Sequence, residues 1–356
     1  MNNNDSVFVW IQLVWIRIFL SIEDTVNELE GENPESEQII NQQYQTLKDS
    51  YASLKASIRK KVGDAAGGLG KAIGNVRNIA RNAIDNTVGY GIAKYQNAKT
   101  TRTLRRNPQT GDQIVYLMHG LFQNEGSQWR LAKQMRKQGK IPYHLKGHHN
   151  LERAENAEKT FEQIGNLHEK TDLYKPHERY DAFSGHSSGG DMGIYLATDP
   201  RTPQYGIKKV QARAPAPTGI EAKTFGQKLL MPLAKADNVE TYEGKQYAVE
   251  MSKRKPIIPV LVGAGEEDRL VLPEQTAYKH AADHTYYRGP NSTHFGTSGG
   301  NKPINEQIIA HLDKPRSEYR PLTADRPSNV VSMSEYKSRR NEEPPEYRSE
   351  REEEAA

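Results

Sequence analysis

The chain has 356 residues, which suits one domain of about 200 residues with sizeable flanking segments and excludes two large domains. Hydrophobic residues make up 35% and the mean hydropathy is −0.84, so we expect apolar residues to be concentrated in part of the chain. The net charge of +4 comes from 49 basic and 45 acidic residues, without the basic excess of a nucleic-acid-binding protein. The absence of cysteine excludes disulfides, thiolate metal sites and a cysteine nucleophile.

Residues 1–22 form an apolar N-terminal segment, with its apolar run from Val7 to Leu20. A spanning helix needs about 20 apolar residues, and Gln12 and Arg17 interrupt this shorter run. No basic stretch precedes it and no small-residue cleavage site follows, so a secretory signal is not expected. Three interpretations remain open: a membrane-surface or marginal spanning anchor, a segment packed on the protein or on a partner, and a mis-assigned start.

Residues 23–106 are predicted to be a helical extension. Apolar residues at alternating three- and four-residue spacing predict a heptad helix over 38–61, which either self-associates as a coiled coil or lies on its own domain. A second, Gly- and Ala-rich amphipathic helix is predicted over 63–95. Its small and basic residues would suit an anionic membrane surface.

The stretch GGLGKA within that helix is not a phosphate-binding loop. Ala65 stands where the first glycine is required, and Ala72 follows Lys71 where a hydroxyl residue is needed for a magnesium ion. At the other end, residues 315–356 carry mixed charges and prolines without an apolar period, which predicts a disordered tail.

Between these flanks, residues 107–314 alternate short apolar runs with helix-compatible stretches, which predicts an α/β domain with a mostly parallel, doubly wound sheet flanked by helices. The predicted strands are IVYLMHG, IPYHL, YDAFSGH, VQARAP, PIIPVLVGAG and HTYYRG. Functional groups of such a sheet gather at the carboxyl ends of the strands.

One carboxyl end carries GHSSG, with Ser187 between a predicted strand and a predicted helix. A strand-to-helix turn of this kind exposes a serine nucleophile, and Gly185 and Gly189 avoid collisions with strand and helix. A serine needs a histidine base, and the histidine needs a carboxylate. Asp268, after a late strand, is the favoured acid, with the neighbouring Glu266 and Glu267 as alternatives, and His294, in a glycine-bounded loop, is the favoured base.

An oxyanion hole needs two backbone donors. One is the N–H of Ser188, which follows the nucleophile, and the other is expected from the loop HGLF after the first strand, where the N–H of Leu121 is favoured and that of Phe122 is the alternative.

From about Gln113 to Leu312 the chain resembles the α/β-hydrolase superfamily, and compact lipases and carboxylesterases in particular. The motifs that carry the resemblance are LMHGLF, GHSSGG, VGAGEED and NSTHF, in the order serine, acid, histidine. The resemblance implies hydrolysis of a small-molecule or lipid ester by a Ser-His-Asp triad through an acyl-serine intermediate, with no metal or organic cofactor.

The segment 217–255 is expected to be a lid. Substrate contacts are expected from Phe122, His186, Leu230 and Met231. His144, His148 and His149 resemble a metal-ligand spacing, but loop histidines near a cleft more often contact substrate or serve no site, so no metal is expected.

Alternatives from other classes stay open. One is a membrane-attached scaffold with a hydrolase-like domain that binds without turnover, and another is an acyltransferase, thioesterase or peptidase with the same triad. We expect a cytoplasmic protein without a nucleic-acid partner, with membrane association through residues 7–22 and 63–95 as an open possibility.

Overall fold

The computed structural model describes residues 89–121, 123–148, 151–217, 245–268, 270–289, 292–299 and 301–321. The apolar N-terminal segment, the heptad helix, most of the Gly- and Ala-rich helix, most of the expected lid and the chain beyond residue 321 lie outside the described residues. Among the helices in the described ranges, none has the length and apolar character needed to cross a membrane.

Six strands form one sheet in the order β2-β1-β3-β4-β5-β6, and every neighbouring pair is parallel. The strands are β1 (Ile114–Met118), β2 (Ile141–Leu145), β3 (Asp181–His186), β4 (Ile207–Arg213), β5 (Val260–Gly265) and β6 (Asp283–Tyr287). Each of the six predicted strands is present, and the prediction of a parallel, doubly wound sheet is confirmed.

Helices cover both faces of the sheet, because strands buried on both faces expose apolar side chains in both directions. The helices are α1 (89–106), α2 (Trp129–Lys137), α3 (Arg153–Lys170), α4 (Ser188–Ala197), α5 (Lys245–Lys253) and α6 (Lys302–Asp313). One core layer joins the sheet to α3 and α4 around Phe161 and Ile194, and the other joins it to α2 and α6 around Leu131 and Ile308.

Helix α1 covers the edge strand β2. The amide of Asn97 accepts from the His144 N–H and donates to the His144 carbonyl, both at 2.8 Å, and the Thr100 hydroxyl donates to the Pro142 carbonyl at 2.7 Å. These contacts satisfy backbone groups that an edge strand would otherwise leave open to another chain. In the described residues α1 runs to residue 106, whereas the sequence predicted that the Gly- and Ala-rich helix ends at 95.

The opposite edge strand, β6, is covered in a similar way by the start of the expected tail. His284 N–H donates to the Arg320 carbonyl at 3.2 Å, and Arg320 N–H donates to the Asp283 carboxylate at 2.6 Å. Residues 315–321 thus pack on the sheet, whereas the sequence predicted that the tail starts at 315. Both edges are protected by segments outside the predicted domain limits of 107 and 314.

Candidate active site

Ser187 lies in the sharp turn between β3 and α4. Its backbone angles, φ 53° and ψ −122°, are ones that a residue with a side chain rarely adopts. The turn is held by hydrogen bonds on both sides, since Ser187 N–H donates to the Arg213 carbonyl at 2.7 Å and the Ser187 carbonyl accepts from Gly190 N–H at 2.7 Å. The predicted strand-to-helix elbow is therefore present, and α4 starts at Ser188.

The glycines around the serine are required by close backbone packing. A Cβ atom on Gly185 would lie 1.9 Å from the Gly189 carbonyl oxygen, and one on Gly189 would lie 2.5 Å from the His119 carbonyl oxygen. Gly120, in the loop after β1, has the same constraint, because its Cβ would lie 2.7 Å from the Ser187 Cβ. The loop after β1 thus packs directly against the candidate nucleophile.

His294 and Asp268 form a buried pair at the same edge of the sheet. His294 Nδ1 lies 2.8 Å from Asp268 Oδ2, and the two residues are only 5% and 3% exposed. The other oxygen of Asp268 accepts the N–H groups of Leu270 and Val271, each at 2.9 Å, so the carboxylate is fixed in place. Since the carboxylate accepts the Nδ1 proton, His294 Nε2 carries the lone pair that a base requires.

Asp268, rather than its acidic neighbours, is the residue that meets His294. Glu266 lies on the exposed side of the loop, with its Oε1 3.9 Å from Arg288 Nε. The structure therefore brings the favoured acid and the favoured histidine together. Between the Ser187 hydroxyl and the His294 ring, both of which lie in the described part of the chain, there is no hydrogen bond, and such contacts are often long before a substrate binds.

His186 links the elbow to the histidine loop. Its ring is fully buried, with Nε2 2.8 Å from the His294 carbonyl oxygen and Nδ1 3.0 Å from Gln123 Oε1. Burial lowers the pKa of His186 well below its ordinary value, so the ring is neutral and has one N–H for these two oxygens. The substrate contact expected of His186 does not fit this position, because no part of the side chain is exposed.

The orientation of the Gly120 carbonyl is fixed by two donors. His119 Nε2 accepts from Gly147 N–H at 3.1 Å, so Nδ1 carries the proton and donates to the Gly120 carbonyl at 2.9 Å. Gln123 N–H donates to the same oxygen at 3.3 Å. In a trans peptide the carbonyl and the next N–H point in opposite directions, so these bonds also set the direction of the Leu121 N–H.

Gln123 is a site residue that the sequence interpretation missed. Its side-chain oxygen accepts Gly120 N–H at 3.2 Å as well as facing His186, so one amide touches both the loop after β1 and the elbow. Its only sequence signal is its place three residues after the glycine of the HG pair.

Some of the other expected site residues lie outside the described residues: Phe122, His149, Leu230 and Met231. His144 is buried in β2 with Nε2 2.7 Å from Gln96 Oε1, and burial lowers its pKa to about 3. Within the described ranges no group of three or more His, Asp or Glu side chains could hold a metal ion.

The positions of these residues along the strand order define the fold class. Ser187 follows the third strand, Asp268 follows the fifth and His294 follows the sixth, on a parallel sheet of order 2-1-3-4-5-6. This is the fold of the α/β-hydrolase superfamily, and from residue 89, where the described part of the chain begins, no strand precedes β1.

Comparisons with known proteins find distant structural similarities. No protein-family model and no curated protein sequence matches the chain. Among solved structures, the naproxen esterase (carboxylesterase NP) of Bacillus subtilis is 12% identical, with a TM-score of 0.38 over 57% of this chain and 84% of that chain. The monoacylglycerol lipase of Paleococcus ferrophilus is 18% identical, with a TM-score of 0.36 over 56% and 94%. The enol-lactonase of Burkholderia xenovorans LB400 is 16% identical, with a TM-score of 0.38 over 57% and 92%.

Proposed function

We propose that this protein is a serine hydrolase that cleaves a carboxylic ester through an acyl-serine intermediate. The observation that carries the proposal is the strained backbone of Ser187 at the sheet edge where the buried His294–Asp268 pair also lies. Backbone strain at a serine is retained where the surrounding structure enforces it, and it is concentrated at functional sites. A glycine turn without a catalytic role would place glycine, not serine, at such angles.

In the proposed reaction, Ser187 Oγ attacks the ester carbonyl carbon while His294 Nε2 takes the hydroxyl proton. Collapse of the tetrahedral intermediate breaks the bond to the alcohol oxygen, which receives that proton and leaves. A water molecule then repeats the sequence on the acyl-serine and releases the acid. Asp268 holds the His294 tautomer and stabilises the imidazolium that forms in each half-reaction.

The oxyanion of both intermediates would be bound by the N–H groups of Leu121 and Ser188. The fixed Gly120 carbonyl supports the first assignment, since it sets the direction of the Leu121 N–H in a loop that contacts Ser187. The first turn of α4 supports the second, because the positive end of the helix dipole lies at Ser188. Loss of one such donor typically lowers the rate about 100- to 1000-fold.

The test is labelling with a fluorophosphonate probe, followed by hydrolysis of nitrophenyl esters from short to long acyl chains. We expect wild type to label and Ser187→Ala to show neither labelling nor turnover, because the nucleophilic oxygen is gone. Ser252→Ala, on α5, is the matched control, since its hydroxyl only caps the Val249 carbonyl at 2.9 Å. The proposal is wrong if folded wild type does not label, or if Ser187→Ala labels as wild type does. The chain-length optimum then separates small esters from lipid esters.

A further inference from the structure

Arg213 is a buried cation beneath the candidate site. Its side chain has no exposed surface, and it donates from Nε to Ser184 Oγ at 3.1 Å, from Nη2 to the Ser184 carbonyl at 3.3 Å and from Nη1 to the Thr297 carbonyl at 2.7 Å. Burial lowers its pKa to about 10, so the guanidinium is charged at neutral pH. In the described part of the chain no carboxylate contacts it, which is costly for a buried charge.

The Arg213 charge is instead linked to a line of hydrogen bonds between the sheet and α6. The Ser184 hydroxyl donates to Gln211 Oε1 at 2.8 Å, and Gln211 Nε2 donates to the Tyr287 hydroxyl oxygen at 3.3 Å. Gln211 Nε2 also donates to the Ile308 carbonyl at 2.7 Å, which fixes which end of the amide faces each partner.

The line ends on a carboxylate. His311 Nε2 lies 3.0 Å from Asp283 Oδ2 and donates to it, so His311 Nδ1 accepts from the Tyr287 hydroxyl at 3.1 Å. Burial raises the pKa of Tyr287 and lowers the pKa of His311, so the phenol keeps its proton and the imidazole is neutral. Gly263 leaves room for this line, because a Cβ there would lie 2.1 Å from the Tyr287 hydroxyl oxygen.

Every hydrogen bond in this buried polar network is donated in the same direction, from the cation to the anion. Its members are Arg213, Ser184, Gln211, Tyr287, His311 and Asp283. Aligned donors polarise one another, so Asp283, which also pairs with Lys314 at 2.7 Å, helps to stabilise the cation at the other end of the sheet.

At the carboxyl edge, Arg213 contacts both halves of the candidate site. Its carbonyl accepts Ser187 N–H at 2.7 Å, and its Nη1 holds the carbonyl of Thr297. The Thr297 hydroxyl in turn donates to the His294 carbonyl at 2.7 Å. One residue thus connects the strained backbone of the serine with the backbone of the histidine.

We propose that Arg213 is a positioning residue, which with Thr297 holds the His294 loop at a fixed distance from Ser187 and whose charge is stabilised in part through the buried polar network. This inference rests on the proposed serine chemistry for its rate effects, but the structural link between the two loops can be measured without it. Arg213 does not touch the reacting atoms. It acts through the backbone of two residues that do.

The test uses two pairs of variants. Thr297→Val removes the hydroxyl that holds His294 and keeps the shape, whereas Thr297→Ser keeps the hydroxyl. Arg213→Met removes the guanidinium, and Arg179→Met is its matched control, because the Arg179 side chain is also mostly buried but pairs with Asp181 at the amino end of the sheet, at 2.9 Å. Three quantities are measured for each: the fluorophosphonate labelling rate of Ser187, kcat and KM on one ester, and amide hydrogen exchange of residues 292–299 by mass spectrometry.

We expect Thr297→Val to lower the labelling rate and kcat about 10-fold, the effect of one hydrogen bond, with KM unchanged. Thr297→Ser should stay close to wild type. Arg213→Met should lower both rates about 100-fold, the effect of hydrogen bonds to a charged group, and speed exchange in 292–299. Arg179→Met should lower stability but leave the labelling rate, kcat and the exchange of 292–299 unchanged in the folded protein.

Two results would overturn the inference: equal labelling and exchange in Thr297→Val and Thr297→Ser, or equal effects of Arg213→Met and Arg179→Met. If Arg213→Met does not fold, the Thr297 pair decides. If wild type does not label, the proposed function fails, but selective exchange of 292–299 in Thr297→Val still decides whether the positioning link exists.

Discussion

The two ends of the sheet contain different kinds of buried charged group and differ in backbone strain. At the amino end, each buried carboxylate has several direct donors: Asp181 accepts from Arg179 and from Ile114 N–H, and Asp283 accepts from Lys314 and His311. At the carboxyl end, a buried arginine has only neutral partners and a serine has strained backbone angles. The donors to Asp283 lower its pKa and so stabilise the folded state, whereas the strained backbone angles of Ser187 raise the free energy of the folded state.

This difference indicates that the polar groups of the amino end mainly affect stability, whereas those of the carboxyl end fix the relative positions of the site residues. At the amino end, ion pairs could be replaced by other residues if the total stability were maintained. At the carboxyl end, Gly120, Gly185 and Gly189 bring backbone atoms within distances that exclude any side chain. Loops that pack this closely have little freedom to shift, which is what a reaction requiring fixed geometry needs.

The largest expected effect comes from filling that close contact. Gly189→Ala places a Cβ 2.5 Å from the His119 carbonyl oxygen and 2.6 Å from the Met118 carbonyl oxygen, both of which belong to the backbone. We expect a loss of about 3 kcal/mol of stability and no labelling of Ser187. Gly111→Ala is the control, because nothing lies within 4 Å of its added Cβ. Equal urea midpoints for the two variants would show that the packing at the elbow is looser than the structure describes.

The next effect concerns chemistry alone. Asp268→Asn keeps the size of the side chain but favours the wrong tautomer of His294, so we expect kcat to fall about 10,000-fold with a much smaller change in stability. Glu266→Gln, two residues away on the exposed side of the loop, should keep wild-type kcat. If the two variants were equally active, Asp268 would be a structural carboxylate, like Asp181 and Asp283 at the amino end.

The elements of the carboxyl end were largely predictable from the sequence because they are local. A strand, a serine flanked by glycines and a helix occupy consecutive residues, so the sequence alone is enough to place Ser187 on an elbow. Asp268 and His294 follow apolar runs that form β5 and β6. Their pairing could be anticipated because the carboxyl ends of parallel strands meet at one edge.

The buried polar network was not predictable, because its members are far apart in sequence and meet only through strand order and helix packing. Gln211 and Arg213 did leave a signal, being polar residues two apart in a strand that is otherwise largely apolar toward its end. Period two places them on one face, but not their partners. The segments covering both sheet edges were missed for the same reason: Asn97 and Arg320 bind backbone groups, which no sequence pattern displays.

The smallest effect on activity is expected from a change at the amino end, whose effect on stability depends on pH. Asp283→Asn leaves Lys314 and His311 without a carboxylate, and we expect a loss of about 3 kcal/mol of stability at pH 7. Burial by itself would raise the pKa of Asp283, but the bonds from His311, Lys314 and Arg320 N–H lower it below its ordinary value of 3.8.

A carboxyl with a lowered folded-state pKa stabilises the protein above its unfolded pKa, and that contribution is lost as the pH falls toward the folded value. Urea unfolding between pH 2 and pH 7 should therefore show that the free energy of unfolding differs between wild type and Asp283→Asn, and that this gap narrows below about pH 4. A gap that stayed constant down to pH 2 would mean that Asp283 contributes through its shape and not its charge. In that case the negative end of the buried polar network would be missing, and Arg213 would need another source of compensation.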